Sequence, residues 1–184
     1  MKAIKLETPL TVEETAGLRA GQTCLLNGII YTARDAAHKR LVEMMDKGEE
    51  LPFHVGGQLI YYVGPCPASP GQVIGSAGPT TSTRMDAYTP ALLAAGVRGV
   101  IGKGDRSPEV VEALKKHRAV YFGAIGGAGA LISRQIIAAE VVAFPELGPE
   151  AIHKLQVQDL PVVVVIDSQG QNYYTLGRAQ FSKR

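Results

Sequence analysis

This sequence of 184 residues predicts an α/β fold arranged as a three-layer β/β/α domain. The front half holds short apolar runs separated by turn residues, which is the pattern of β-strands. From Val97 onward, short apolar runs alternate with helical patterns, and this alternation favours parallel βαβ pairing. The length suits a single domain covering residues 1–184, with the β-rich front half layered on the βαβ back half.

Composition and charge exclude several classes of protein. The chain is 46% hydrophobic and 20% charged, which is ordinary for a globular protein and sufficient to bury a core. Its net charge of +2 gives no electrostatic case for binding nucleic acid or an anionic membrane surface. No apolar run reaches the roughly 18 residues that a membrane span needs, and the amino terminus lacks the pattern of a signal peptide. A cytoplasmic location is therefore expected.

The front half is predicted to contain four strands and one helix. The strands are residues 1–7, 23–26, 29–32 and 58–63. Asn27-Gly28 separates the second strand from the third and predicts a tight hairpin, since both central residues of such a turn need positive φ. Asp35 is expected to cap a helix that runs from Ala36 to about Asp46 and ends at Gly48.

The back half is predicted to alternate between strands and helices. Strands are expected at residues 97–101, 119–122, within 136–144, at 162–166 and finally at 173–174. Helices are expected at residues 88–95, 107–117, up to about 135, and briefly from 148. The second of these helices has the strongest start, because Ser107 can cap it and Pro108 follows at its first position.

A hydroxyl-rich turn divides the two halves. Gly78-Pro79 leaves an apolar run, and four hydroxyl residues from Thr80 to Thr83 then lead to Arg84. Hydroxyls and a guanidinium beside a helix N-terminus are suited to hold an anion. Ser and Thr before a helix more commonly serve as caps, so the local sequence leaves both interpretations open.

Four cationic or hydroxyl residues fall at ends of predicted strands, namely Arg34, Thr80, Arg84 and Lys103. Ligands of open α/β sheets bind in the crevice at the carboxyl ends of the strands. Two arginines and a lysine that converge there would suit a dicarboxylate, because arginine grips a carboxylate in a fork and lysine acts as a point charge. Each of these cations taken alone is ordinarily a solvated surface charge. His38, in the first turn of its helix, is ordinarily a surface residue.

The cysteines, histidines and glycines predict no metal or nucleotide site on this chain. The two cysteines, Cys24 and Cys66, cannot supply the ligand set of an iron–sulfur cluster, and the four histidines lack metal-ligand spacing. The glycine-rich run 123–130 does not fit a dinucleotide or P-loop fingerprint. Close packing of a helix on a sheet is the favoured use of Gly126, Gly127 and Gly129, and a backbone anion site is the alternative.

Several motifs in order resemble the iron–sulfur hydro-lyases. They are Thr32-x-Arg34-Asp35-Ala36-Ala37-His38-Lys39-Arg40, Gly78-Pro79-Thr80-Thr81-Ser82-x-Arg84-Met85-Asp86 and Ile101-Gly102-Lys103-Gly104. The chain is similar to the β subunit of class I fumarase and to the L(+)-tartrate dehydratase β subunit, and the resemblance covers nearly all of it. The family fold is a swivelling β/β/α domain, which agrees with the layered prediction.

The resemblance implies an enzyme that adds or removes water across a dicarboxylate. In this family an α subunit holds a [4Fe–4S] cluster through three cysteines, and its open iron acts as a Lewis acid on the substrate. The β unit completes the site, so this chain is expected to bind no cluster itself, to form αβ pairs and to be inactive alone.

The same resemblance assigns roles to individual residues. Arg34, Arg84 and Lys103 would hold substrate carboxylates, and Thr80 would stand at the proton-abstracting position. A threonine hydroxyl is a poor base, so it needs an activating group, which the α subunit would supply. His38 matches a histidine taken as the active-site residue of the tartrate enzyme. It ranks below Thr80 for the proton step, and its alternative role is to orient Arg34 or the substrate.

Three functions remain open at this stage. The run Met85–Pro90 looks more like the fumarase side of the family, which favours reversible hydration of fumarate to L-malate. Dehydration of L(+)-tartrate to oxaloacetate is the alternative within the class. A non-catalytic subunit that binds an anion or supports assembly is the alternative of another class.

Overall fold

The computed structural model describes residues 3–125 and 127–181, and within these ranges it holds seven strands and six α-helices. The strands are β1 Ile4–Thr8, β2 Thr23–Thr32, β3 Leu59–Tyr61, β4 Gly99–Gly102, β5 Val120–Gly123, β6 Ile136–Ala143 and β7 Ile152–Ile166. The helices are α1 Val12–Gly17, α2 Asp35–Asp46, α3 Thr89–Ala94, α4 Pro108–His117, α5 Gly129–Ile132 and α6 Tyr173–Phe181. Short 3₁₀ segments cover Ser82–Met85, Ser133–Gln135 and Pro145–Glu150. The predicted α/β class is confirmed.

All seven strands belong to one sheet, whose order is β1-β2-β3-β4-β5-β7-β6. Strands β1 to β5 pair in parallel, and β7 runs antiparallel to β5, β6 and β2. Because β7 also pairs with the second edge of β2, strands β2, β3, β4, β5 and β7 close a ring. These pairings describe a continuous sheet rather than two separate β layers, so the three-layer arrangement stays a prediction.

Alternate residues of the central strands feed two different apolar clusters, as the two-residue period of a strand requires. Leu59, Tyr61 and Phe122 belong to a cluster with the inner residues of β2 and β7. Ile60 and Tyr121 belong to the other cluster, which is completed by side chains of α2, α3 and α4: Ala37, Leu41, Leu92, Leu93, Val110, Ala113 and Leu114. Both faces of β3, β4 and β5 are therefore buried, and only the strand ends are available for a site.

The back half follows the sequence closely at α3, α4, β4 and β5, whereas β7 begins at Ile152, well before the strand predicted at residues 162–166. Helices α3 and α4 lie within a residue of their predicted bounds, and β4 and β5 pair in parallel across α4. Ser107 accepts a hydrogen bond from the Val110 amide at 3.4 Å and so caps α4. The final strand predicted at Tyr173-Tyr174 is wrong, because α6 begins there and Asn172 accepts a hydrogen bond from the Tyr174 amide at its start.

The predicted hairpin at Asn27-Gly28 is also wrong. Both residues lie inside the single strand β2, at a bulge where the pairing with β7 shifts register. Asn27 accepts a hydrogen bond at 2.9 Å from the Asp159 amide of β7, and Gly28 has a φ of +95°. A Cβ at Gly28 would lie 2.7 Å from the Thr8 hydroxyl, so glycine here admits close approach of β1.

Helix α1 was missed by the sequence prediction, which placed only a turn near residues 18–21. Its start carries a reciprocal capping box. The Thr11 hydroxyl accepts from the Glu14 amide at 3.1 Å, and the Glu14 carboxylate accepts from the Thr11 amide at 2.7 Å. A Thr-x-x-Glu spacing is a legible sequence signature of a helix start. In the part of the chain that the structure describes, no helix is long and apolar enough to span a membrane.

Candidate active site

The carboxyl ends of the parallel strands β2, β3 and β4 meet at one edge of the sheet, and the candidate residues lie there. Arg34 follows β2, and Lys103 follows β4 directly. The hydroxyl-rich turn folds back onto the same edge. The Thr80 amide donates to the Tyr62 carbonyl after β3 at 2.7 Å, and the Ser82 amide donates to the Lys103 carbonyl at 2.9 Å. Three segments that are distant in sequence are therefore joined by main-chain hydrogen bonds.

Asp35 links the two arginines of this edge. Its Oδ1 accepts a hydrogen bond from Nε of Arg84 at 3.0 Å, and its Oδ2 forms an ion pair with Nη2 of Arg84 at 2.9 Å. Its Oδ2 also lies 4.0 Å from Nε of Arg34. The prediction that Asp35 caps α2 is wrong, because Arg34 occupies the N-cap position and makes no side-chain cap bond. The carboxylate of Asp35 is committed to the arginines instead.

Glu150 performs the capping role that was expected of Asp35. One of its oxygens accepts from the Ala36 amide at 3.0 Å, and the other lies 3.3 Å from Nη2 of Arg34. Glu150 thus accepts a hydrogen bond from a free amide at the N-terminus of α2 and also orients Arg34. Sequence reasoning did not find this residue, since 114 positions separate it from the amide that it caps and no local pattern marks such a contact.

The cations differ in how far they are embedded. The Arg34 side chain is 21% exposed and lies against Gly64, where an added Cβ would come 2.7 Å from Nη1. Arg84 is 49% exposed, and Lys103 is exposed. Thr80 is half-buried. The edge therefore holds one arginine fixed by packing and two cations that face solvent.

His38 lies beneath this edge rather than on the surface, which corrects the expectation for a lone histidine in a first turn. It is fully buried, and its Nδ1 lies 2.9 Å from the Arg34 carbonyl. Its ring packs edge-on against Tyr62 with centroids 5.2 Å apart. Burial is the main cause that lowers the pKa of His38 to about 4, and the nearby Arg106 charge contributes to the lowering. A neutral ring that donates from Nδ1 to the Arg34 carbonyl fits this setting.

The remaining hydroxyls of the turn do not act as helix caps. Thr81 occupies the N-cap position of the 3₁₀ segment Ser82–Met85 but makes no side-chain cap bond. Ser82 is buried, and its hydroxyl bonds to the Tyr121 hydroxyl at 3.0 Å. Ser82 therefore fixes the turn to the sheet, whereas Thr81 and Thr83 are exposed and Thr80 is half-buried.

The glycine-rich run after β5 packs against this turn, not against a sheet as predicted. The Gly129 carbonyl accepts from the Ala77 amide at 3.1 Å, and a Cβ at Gly129 would lie 2.8 Å from the Gly78 nitrogen. Gly127 has a φ of +80° with open space around it. Gly126 lies outside the described residues. Glycine at position 129 thus lets the hydroxyl-rich turn approach the chain that follows β5.

The residues of this chain do not fit an iron–sulfur cluster. Cys24 is buried in the sheet, where desolvation raises its pKa to about 11, and Cys66 is an exposed thiol elsewhere. Within residues 3–125 and 127–181, no three His, Cys, Asp or Glu side chains come together as metal ligands. Any cluster that serves the site would have to be held by residues outside these ranges.

Comparison with known proteins shows the family to which this chain belongs. A model of the fumarase C-terminus matches residues 1–177. The chain is 44% identical over 151 residues to "Fumarate hydratase class I, aerobic" of Escherichia coli K12, and 42% identical over 157 residues to "Fumarate hydratase 2" of Leishmania major. These matches cover 81% and 84% of this chain, which spans 28% of the length of either relative.

A relative of similar length also matches. The chain is 36% identical over 171 residues to "Putative L(+)-tartrate dehydratase subunit beta" of Methanocaldococcus jannaschii, covering 90% of this chain and 88% of that protein. The family model and these relatives define a class whose members carry the names of fumarate hydratases and of a putative tartrate dehydratase subunit. Within that class, this chain belongs to the fumarase C-terminus family.

Proposed function

We propose that this chain is the β subunit of a two-subunit iron–sulfur hydro-lyase that reversibly hydrates fumarate to L-malate. The observation that carries the proposal is that Arg34, Lys103 and the turn bearing Thr80 and Arg84 come together at one sheet edge. Three cations stand there against the two carboxylates of Asp35 and Glu150. The edge keeps an excess of positive charge, which a substrate with two carboxylates would neutralise.

Each residue is assigned a role that suits its setting. Arg34, held by Glu150, provides a fixed donor group, and Arg84 and Lys103 face solvent where a second carboxylate can reach them. Thr80 transfers a proton to or from the reacting carbon. A threonine hydroxyl requires an activating group for this step, and no such group is a sequence neighbour of Thr80. His38 orients Arg34 through its carbonyl, because a buried ring does not meet the substrate directly.

The cluster and the activating group are assigned to a partner subunit. The poor fit of Cys24 and Cys66 to a cluster supports this division, as does the relative that is named a β subunit and has nearly the same length. The fumarate hydratases that match are about three times as long, so they have room for the partner's part in one chain. We therefore propose a heteromer of αβ pairs with the [4Fe–4S] cluster on α.

Dehydration of L(+)-tartrate to oxaloacetate is the second candidate, and the similar-length relative with that name favours it. Fumarate is preferred on the run Met85–Pro90, which looks more like the fumarase side of the family. Anaerobic co-expression with the α subunit, followed by assays on malate and on tartrate, decides between them. A pair that turns over tartrate and not malate would replace the first substrate with the second.

The decisive substitution is Arg84→Ala in the assembled pair. We predict that kcat/KM for malate falls on the order of 10²-fold or more, because a charged donor to the substrate is lost. Arg98→Ala is the matched control, since Arg98 is a half-buried arginine at the opposite end of β4. Full turnover by Arg84→Ala and by Thr80→Ala would instead identify a non-catalytic subunit that supports assembly.

A further inference from the structure

A buried arginine that the proposed chemistry does not use lies beneath the candidate site. The Arg106 side chain is 0% exposed, and its Nε donates to Oδ1 of Asp86 at 2.7 Å. Its Nη2 donates to the Thr89 hydroxyl at 2.7 Å. The guanidinium also stacks over the rings of Tyr62 and Tyr121, 5.3 Å and 5.1 Å from their centroids. Every face of this group is thus occupied by protein.

Arg106 lies in one segment and its partners Asp86 and Thr89 lie in another, and each segment carries one of the exposed cations. Asp86 and Thr89 follow Arg84, whereas Arg106 itself follows Lys103 by three positions. The second oxygen of Asp86 accepts from the Ser107 amide at 2.8 Å, so the carboxylate grips the Lys103 segment twice. The ion pair therefore joins the segment after Arg84 to the segment after Lys103.

A second set of contacts joins the same two segments on the other side of the cations. The Tyr121 hydroxyl donates to the Gly104 carbonyl at 2.9 Å and bonds to the Ser82 hydroxyl at 3.0 Å. The Ser82 amide donates to the Lys103 carbonyl at 2.9 Å. Arg84 lies between Ser82 and Asp86, and Lys103 is within three residues of Arg106. The relative position of Arg84 and Lys103 is thus set by contacts on both sides of Arg84 and by contacts at and after Lys103.

We propose that Arg106, paired with Asp86, is a positioning residue that holds Arg84 and Lys103 at the spacing that a dicarboxylate requires. It does not touch substrate, since its guanidinium is buried against Tyr62 and Tyr121. The turnover part of this proposal rests on the hydro-lyase function proposed above. The structural part concerns only this chain and can be measured without any partner.

The structural part is tested by amide hydrogen exchange on the isolated chain. In Arg106→Met, the protection of the Ser82 and Ser107 amides is expected to fall, because opening of the two segments then costs less free energy. This fall should exceed that of the Leu26 and Val162 amides in the β2–β7 pairing by at least about tenfold. Arg98→Met should leave this ratio unchanged. Equal loss of protection at all four amides would overturn the proposal, since it would mark general destabilisation.

The catalytic part is tested in the pair with the α subunit. Arg106→Met is expected to lower kcat/KM on the order of 10²-fold, as displacements of about 1 Å do. In an Arg84→Ala background the same substitution should cost far less, because the cation that it positions is already gone. Arg106→Lys keeps the charge but loses the fork, so it should recover part of the activity.

Three outcomes separate the proposals. An equal loss from Arg106→Met in both backgrounds would overturn the positioning role and leave the hydro-lyase function intact. Absence of turnover by the wild-type pair would overturn the proposed function, while the exchange experiment would still decide the structural part. If Arg106→Met fails to fold, Asp86→Asn, which is nearly isosteric, takes its place in both experiments, with the same expected pattern and the same overturning results.

Discussion

Burial separates His38 from the three cations that share its edge. Arg34, Arg84 and Lys103 keep part of their side chains in solvent, whereas His38 is fully enclosed beside Tyr62. Its Nδ1 lies against the Arg34 carbonyl, and its Nε2 has no hydrogen-bond partner among the described residues. A histidine in this position acts best as a neutral support for the backbone of Arg34.

The depressed pKa of His38 makes folding stability depend on pH. The unfolded chain takes up a proton at this ring near the ordinary pKa of 6.5, whereas burial lowers the folded pKa to about 4. Between these values the unfolded state binds more protons, so the free energy of unfolding falls as the pH drops from 6.5 to 4, by roughly 3 kcal/mol in total, and levels off below. Urea unfolding of the isolated chain across this range measures the fall.

The controls for this prediction are a substitution and a spectrum. His38→Gln should remove most of the fall, and His54→Gln, at an exposed position, should retain it. In NMR spectra the His38 ring of the folded chain should remain neutral at pH 5. If the ring takes up its proton near pH 6.5 in the folded chain, His38 is not buried and the prediction is contradicted.

Whole elements are positioned by contacts that leave no room for a side chain. The 3₁₀ segment Ser82–Met85 carries Arg84 and packs directly on Gly102 of β4, where an added Cβ would collide with the Ser82 hydroxyl and come 3.0 Å from the Tyr62 ring. Glycine at position 102 therefore sets how closely this segment approaches the sheet. The approach in turn allows the main-chain bond between Ser82 and Lys103.

Gly102→Ala tests this close approach. We predict a loss of about 1–3 kcal/mol in the free energy of unfolding, the usual cost of overpacking, together with weaker protection of the Ser82 amide. Gly17→Ala is the matched control, since a Cβ at the exposed end of α1 meets nothing within 4 Å. It should stabilise the chain by about 0.4–1 kcal/mol. Equal effects of the two substitutions on stability would contradict the packing argument.

Elements also show where local patterns mislead. Asn27-Gly28 has the composition of a two-residue hairpin, yet β2 continues through it because β1 and β7 pair along both of its edges. Gly28 does adopt a positive φ, but it forms a bulge rather than a hairpin turn, and the Asp159 amide donates to Asn27 at this bulge. Pairing with two neighbouring strands outweighs the preference of one dipeptide, and neither neighbour is visible in the local sequence.

At the scale of the whole molecule, the ring of strands gathers residues from distant parts of the chain at one edge. The long strand β7 pairs with β2, β5 and β6, and the 3₁₀ segment that precedes it brings Glu150 to Arg34. What the edge offers to a ligand is then three cations and a hydroxyl. It offers no metal ligands among the described residues.

The isolated chain is therefore predicted to be inactive. Purified chain mixed with malate should form no fumarate, and turnover should appear only when the cluster-bearing α subunit is added anaerobically. The absorbance of fumarate measures both reactions, and chain carrying Arg84→Ala serves as the negative control in the mixture. Fumarate formed by the chain alone would contradict the shared site and would require an activating group within these 184 residues.

The sequence by itself determined the α/β class, the helices α2, α3 and α4, and the family, because apolar periodicity and motif order are local properties. It also singled out Arg34, Thr80, Arg84 and Lys103 as candidate site residues at the ends of predicted strands. Only the tertiary structure decided that Asp35 joins the two arginines, that Glu150 caps α2, and that His38 is buried. These contacts join positions far apart in the chain, and their energies depend on burial and geometry that exist only once the ring of strands has closed.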